Sequence, residues 1–410
     1  MEFLPGMTRR ITFPSDKLVP YQKLLDTKST LQRKIILLAT ASITDGNIFN
    51  NGLYQNIFLL YRLAEVMGYM PLFVVNSRPK TLEEIPEILR STRIVTVEEL
   101  VKQPIPIHLY LEIGMSVEAQ FKKFLKALGA RTAKLYLGNI LNIDIETPMF
   151  MPKMYFAHHV VGETSEVWVS PHYGQHAEYA AALNHVLPGG PGQKIAPYVW
   201  DPCIVTDDGR RDISWRPRRD GEVPTVVIME PNISFQKSSL IPLLVIEEIM
   251  RANPSLEINV MVVNGEKLLL HPHFRENILP TLESYKKGRL ALLGRKDIVN
   301  TIKSVPHMIG LCHHVNNEFN YMALEFFHTG VPVIHNCGAW KDFGYYYEDA
   351  DIRGAAAQLG EAILRHHERL ETYKAHGRAL SWRHCIYNPE VQAQWKSLWD
   401  GEEKPVKKDA

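Results

Sequence analysis

Short apolar runs alternate with polar, glycine-bearing loops along most of the chain. The first, "RKIILLAT" (33–40), ends in small residues and fits a strand buried on both faces of a parallel sheet. A polar loop, "SITDGNIFNNG", follows. Leu53, Ile57, Leu60, Ala64 and Met67 then fall on one helical stripe, which predicts a helix from Gly52 to Met67 with Gly68 as its stop. "MPLFVVN" (70–76) is the next strand, so the run forms a βαβ unit of Rossmann type. "IHLYLEIG" (107–114), "AKLYLGN" (133–139) and "EVWVSP" (166–171) are further strand candidates. "LPGGPGQKIAPYVWDP" (187–202) is rich in Gly and Pro and reads as a linker. After it the pattern restarts with the strand "TVVIMEPN" (225–232) and a helix within 238–254. "EINVMVVNG" (257–265), "RLALLG" (289–294), "MIGLCH" (308–313) and "VPVIHN" (331–336) read as the remaining strands, and a last helix lies near 388–400.

These halves predict an α/β chain of two facing Rossmann-like domains. The expected divisions are an extension over 1–33, an N-terminal domain over 34–200, a C-terminal domain over 201–387 and a helix over 388–400 that returns to the first domain. In open parallel sheets ligands bind beyond the carboxyl ends of the strands, so the expected site is a cleft between the domains.

Composition adds mainly exclusions. The chain has 410 residues, 45% hydrophobic and 22% charged, with a formal net charge of +1. That length suits two domains, and the charge gives no global pull toward nucleic acid or anionic lipid. The N-terminus shows no signal-peptide pattern and no run is apolar enough to span a bilayer, so a cytoplasmic location is expected. Cys203, Cys312, Cys337 and Cys385 lie far apart, which suits reduced thiols better than a zinc site.

The candidate chemistry concentrates in "HHVNNEFNYMALEFFHTGVPVIHN" (313–336). A helix begins there among Asn316, Asn317, Glu318 and Asn320, and Gly330 closes it ahead of a strand. Asparagines cap helices, and a helix N-terminus offers backbone N–H groups and partial positive charge that can hold phosphate. Glu325 sits between one and two turns further on, where its carboxylate could accept hydrogen bonds from a ribose diol. The plainer reading is a capped core helix with Glu325 paired or exposed.

The segment resembles the nucleotide-sugar site of GT-B glycosyltransferases. Many retaining members carry Glu, seven residues, then Glu-Ala-x-x-x-Gly-x-Pro-Val-Ile. Glu325, Gly330 and "GVPVI" match that ending, and Phe319 falls on the motif's Phe. The motif's first Glu falls on Asn317, beside Glu318, and its second Gly on Asn320. "EVWVSPHY", "IAPYVWDP", "MEPNISFQKSSLIPLLVIEE" and "FGYYYEDADIRGAA" extend the resemblance to a bacterial and phage family known as a glycosyltransferase-like domain of unknown function.

The resemblance implies a metal-independent hexosyl- or pentosyltransferase. It would use a nucleotide-diphosphate sugar as co-substrate, with no bound cofactor. The acceptor would be a glycan, a lipid-linked glycan or another hydroxyl compound. Glu325 would bind the donor ribose, and the amides near Asn320 and Tyr321 the diphosphate. Lys237 would neutralise the diphosphate, with Asn232, Ser234 and Glu230 as weaker candidates in the same loop. His313 would touch the base or phosphates. The loop with Gly46, Asn47, Asn51 and Gly52 would lie near the phosphates or acceptor, or simply cap the following helix. Asp45, His158 and Glu318 are the candidate catalytic groups, histidine being a suitable base near neutral pH. His159, Glu112 and His172 join them at lower weight, while His314, like His313, would contact the base or phosphates of the donor.

Asp349-Ala-Asp351 mimics the metal-binding triad of another glycosyltransferase fold, and neither "HPH" (271–273) nor "RHHER" (365–369) has metal-ligand spacing. The latter two read as surface segments. GxSxG, GxxxxGK[ST] and HExxH patterns are absent from the sequence. Rival readings are a sugar-nucleotide epimerase or hydrolase of the same fold, a non-catalytic nucleotide-sugar binder, and a transferase acting on modified DNA bases, which the charge does not favour.

Overall fold

The computed structural model describes residues 33–40, 48–50, 52–76, 85, 87–90, 92–113, 117–150, 162–206 and 211–401. The chain divides into two compact units. One takes the described residues up to Asp201 and from His384 onward, and the other is Pro202–Arg383.

The first unit holds a seven-stranded, all-parallel sheet. Its strands are β1 (Ile35–Ala39), β2 (Met70–Val75), β3 (Ile94–Thr96), β4 (Leu109–Glu112), β5 (Arg131–Tyr136), β6 (Glu166–Val169) and β7 (Gln193–Ile195). They lie in the order β3-β2-β1-β4-β5-β6-β7, with Leu37 opposite both Leu72 and Tyr110. β1 and β2 are buried at every position, because helices cover both faces of such a sheet and both must be apolar. Helix α1 (Gly52–Val66) buries Gln55–Tyr61 and Leu63–Ala64, a wider face than the single stripe predicted. Gly68, at φ +86°, ends that helical segment in the left-handed region.

The second unit repeats the plan with six parallel strands: β8 (Thr225–Ile228), β9 (Asn259–Val263), β10 (Leu290–Leu293), β11 (Ile309–Leu311), β12 (Val333–His335) and β13 (Tyr345–Tyr346). Their order is β10-β9-β8-β11-β12-β13. In both sheets the order reverses beside the first strand, between β1 and β4 and between β8 and β11. Chain leaving such neighbours diverges to opposite faces and opens a crevice at their carboxyl ends. The architecture is the α/β class expected, with two parallel sheets.

The last helix, α2 (Pro389–Asp400), belongs to the first unit. Asn388 caps it through the Glu390 amide, and Pro389 occupies the first helical position, where a missing N–H costs nothing. Trp395 meets Trp168 edge-on at 6.2 Å, and Trp399 meets Tyr69 at 5.3 Å. Arg131 donates to the carbonyls of Leu398 and Trp399. Each buried tryptophan contributes about 2 kcal/mol or more of apolar burial.

Two sequence readings need correction. The stretch read as a linker carries the edge strand β7 and packs within the first unit up to Asp201. "RHHER" is not wholly a surface segment. His366 is 1% exposed, with one ring nitrogen 3.0 Å from Tyr345 Oη and the other 3.0 Å from the Gly330 carbonyl.

Candidate functional site

Three loops meet at the carboxyl edge of the second sheet, around the reversal between β8 and β11. The loop after β8 turns at Asn232 and the loop after β9 at Asn264, both at positive φ, which asparagine tolerates better than most residues. The Asn232 amide is spent inside the turn. Its nitrogen donates to the Glu230 and Asn264 carbonyls at 3.2 and 3.3 Å, and its oxygen accepts from the Ser239 amide at 2.8 Å. Ser234 caps the short helix Phe235–Lys237 through the Gln236 amide. This loop therefore presents Lys237 and Glu230 rather than Asn232.

Beyond β11, the Val315 amide bonds to the Gln236 carbonyl, tying the second loop to the first. Asn336, after β12, clasps His314 from both sides, accepting from its amide at 2.9 Å and donating to its carbonyl at 2.8 Å. Helix α3 (Tyr321–Thr329) then begins. Asn320 is its cap, accepting from the Met322 amide at 3.0 Å, and Gly330 ends it at φ +80°. Phe319 stacks on Trp340 with ring centroids 5.2 Å apart. Asn317 is buried, Glu318 is exposed, and Glu325 is 3% exposed in the second turn of the helix.

The electrostatics of the group are uneven. Burial pushes the Lys237 ammonium below the usual lysine range, while Glu230 pulls it back. Among the described residues nothing hydrogen-bonds or ion-pairs with that ammonium. Glu230 is fully buried, and neither of its carboxyl oxygens has a hydrogen-bond partner among the described residues. His314 Nε2 stands 3.2 Å from Glu230 Oε1, but the ring nitrogen is aligned with Asn320 Nδ2 at 3.1 Å. A hydrogen bond weakens steeply off its axis, so His314 Nε2 is bonded to Asn320 rather than to Glu230.

His313 has a defined tautomer. Tyr347 Oη donates its one proton to the Cys312 carbonyl at 2.9 Å, so the His313 Nδ1 at 2.9 Å must be the donor to Tyr347. Burial, then the neighbouring His314, hold His313 below the ordinary histidine range, so its neutral form carries a lone pair on Nε2. The edge thus offers a cation, a helix N-terminus and several acceptor atoms, a set suited to an anionic group that also bears hydroxyls.

A family model described as "Protein of unknown function (DUF2827)" matches residues 38–399. The chain belongs to this family. No curated protein matches it by sequence. Solved structures do match by fold. Trehalose-6-phosphate synthase OtsA aligns over 90% of this chain and 100% of its own, with a TM-score of 0.60 and 11% identity. The Anabaena protein Alr3699/HepE, in complex with UDP and glucose, covers 89% of this chain and 100% of its own at TM-score 0.54 and 12% identity. The pneumococcal O-GlcNAc transferase GtfA, in complex with UDP and GlcNAc, covers 90% and 99% at 0.53 and 10%. The fold of this family member is GT-B, as the sequence resemblance implied.

The other sequence candidates are dispersed. Asp45, Gly46, Asn47, Asn51, His158 and His159 lie outside the described residues, and Gly52 starts α1. Glu112 ends β4 inside a buried ion cluster, 2.9 Å from Lys122 Nζ and 3.2 Å from Lys134 Nζ. His172 packs against Tyr173. Asp351 caps the helix Ile352–Arg365 through the Gly354 amide. Among the described residues no group of three or more His, Cys, Asp or Glu is placed to hold a metal ion. No described helix is long and apolar enough to cross a membrane. A cavity of about 310 Å³ lined by Trp215, Arg218, His307 and His367 opens at the amino end of β11, away from the candidate site.

Sequence reasoning gave Glu230 little weight. The signal was present, since an acid two residues beyond an apolar strand sits where a parallel sheet collects its ligands.

Proposed function

We propose that the chain is a glycosyltransferase that binds a nucleotide-diphosphate sugar on its second unit. The observation that supports this most directly is the Lys237 ammonium, desolvated and without an ion pair among the described residues, at the reversal point of a parallel sheet. A half-buried, desolvated cation kept there without a counter-ion is stabilised by an anionic ligand, and a diphosphate leaving group needs such a cation. The partial positive charge of α3 adds to it. Glu325 takes the ribose hydroxyls, and the sugar is passed to an acceptor hydroxyl without a metal. Two of the fold neighbours were solved with UDP, which makes UDP the first nucleotide to try.

The test is a thermal-stability screen with UDP, GDP and dTDP, followed by the matching sugar nucleotides with product analysis in chelator. A ligand at a hundredfold its dissociation constant adds about 2.7 kcal/mol of stability. Stabilisation by one nucleotide, with sugar transfer to an added hydroxyl acceptor, supports the reading. Epimerised sugar, or binding without any turnover, would replace it with one of the rival functions of this fold. No stabilisation by any nucleotide refutes it.

A further inference from the structure

Resting on that donor-site reading, we infer that Glu230 and His313 read the hydroxyls of the transferred sugar, which restricts the donor to sugars uncharged where they face these residues. Glu230 is 0% exposed, and both its carboxyl oxygens lack a hydrogen-bond partner among the described residues. Native proteins rarely leave such a group unsatisfied, because the penalty runs to about 1–3 kcal/mol or more. Lys237 lies near enough to act on it electrostatically but forms no ion pair with it within 4.0 Å. Direct contact would relieve both charges and is not made, so each is left for a group that is not one of the described residues.

The chemistry of that group follows from the atoms offered. A diphosphate satisfies Lys237 but brings only acceptor oxygens, which Glu230 repels. Glu230 therefore faces a part of the ligand that donates hydrogen bonds. His313 makes the same demand. With Nδ1–H committed to Tyr347, its Nε2 presents a lone pair that has no partner among the described residues. The two residues follow the adjacent strands β8 and β11, and Glu230 acts electrostatically on His313. Two acceptors side by side call for two hydroxyls, and a sugar joined to the diphosphate supplies them. A uronic acid directed at the pair would set a carboxylate against Glu230. The resemblance places a motif Glu at Asn317, where this chain has none, and Glu230 brings a carboxyl group to the same edge from the other strand.

The experiment is calorimetric titration of UDP, UDP-glucose and UDP-glucuronate, with GDP and dTDP counterparts if those nucleotides bind instead, into the wild-type chain and Glu230→Gln. That substitution keeps the shape and removes no hydrogen bond seen in the structure. In the wild type the sugar nucleotide binds at least tenfold tighter than the bare nucleotide, and the uronate form loses that gain. In Glu230→Gln the ratio of sugar-nucleotide to nucleotide affinity falls toward one, and the uronate is no longer discriminated against. A second measurement, deoxy-sugar nucleotides on the wild type, gives the same loss without altering the protein. An unchanged ratio in Glu230→Gln overturns the inference and leaves the donor-site reading standing, since ordered water then satisfies Glu230. Failure of every nucleotide and sugar nucleotide to bind the wild type overturns both.

Discussion

Three buried histidines make the stability of the second unit depend on pH. Burial is the main cause that lowers His328, His335 and His366 from 6.5 to about 4. The reason is plainest at His335, where both ring nitrogens are used in the neutral form. One lies 2.8 Å from the Phe343 carbonyl and must donate, while the other accepts from the Cys337 amide at 3.2 Å. A second ring proton would face that amide proton. The sign follows from the direction of the shift. Between about 6.5 and about 4 the unfolded chain binds a proton at each site and the folded chain does not, so stability falls as pH is lowered through that window. It is complete above the unfolded value. From about pH 7 to about pH 5 each histidine withdraws about 2 kcal/mol, or about 6 kcal/mol for the three together. The assay is native-state hydrogen exchange of peptides covering α3 and β12, corrected for the intrinsic rate at each pH. His335→Gln should shrink the pH-dependent loss by about 2 kcal/mol, whatever the substitution itself costs at neutral pH. An identical pH dependence in wild type and His335→Gln would refute the reasoning, as would greater stability at about pH 5.

Other substitutions probe separate parts of the fold. Gly377→Ala sets a Cβ 2.2 Å from the Phe327 carbonyl oxygen, so denaturant unfolding should show a loss of about 3 kcal/mol or more in the second unit. Glu112→Gln leaves the buried Lys122 and Lys134 facing each other without their shared counter-charge. It should cost about 3–5 kcal/mol in the first unit, most of it recovered when Lys122→Met is added. Asn320→Ala removes the α3 cap and should lower stability by about 1 kcal/mol by thermal unfolding, with Asn320→Asp restoring most of it.

The parallel core was legible because doubly covered strands must be apolar at every position. "RKIILLAT" and "MPLFVVN" announced β1 and β2 for that reason. β3, β7 and β13 escaped because they are short edge strands set in polar sequence rather than in a longer apolar run, and β7 carries Gln193 and Lys194. Gly and Pro around β7 then made an edge strand look like a linker. At the site, the cap at Asn320 and the stop at Gly330 followed from residue type. The roles of Asn232 and His366 did not, because each bonds to backbone that the sequence places far away or across a turn. Asn232 is the sharper case: its residue type suited a ligand contact and a turn equally, and only the three bonds it makes decide between them.

Donor binding through Lys237 carries the functional account, and its most direct measurement is the affinity of nucleoside diphosphates for the wild-type chain beside Lys237→Met. Methionine keeps most of the stem and removes the ammonium, which has no partner among the described residues to lose. The account predicts that one nucleoside diphosphate binds the wild type and binds the variant at least tenfold more weakly, with unfolding stability unchanged or raised. Equal affinity in the two proteins, or binding of no nucleoside diphosphate to the wild type, would contradict it.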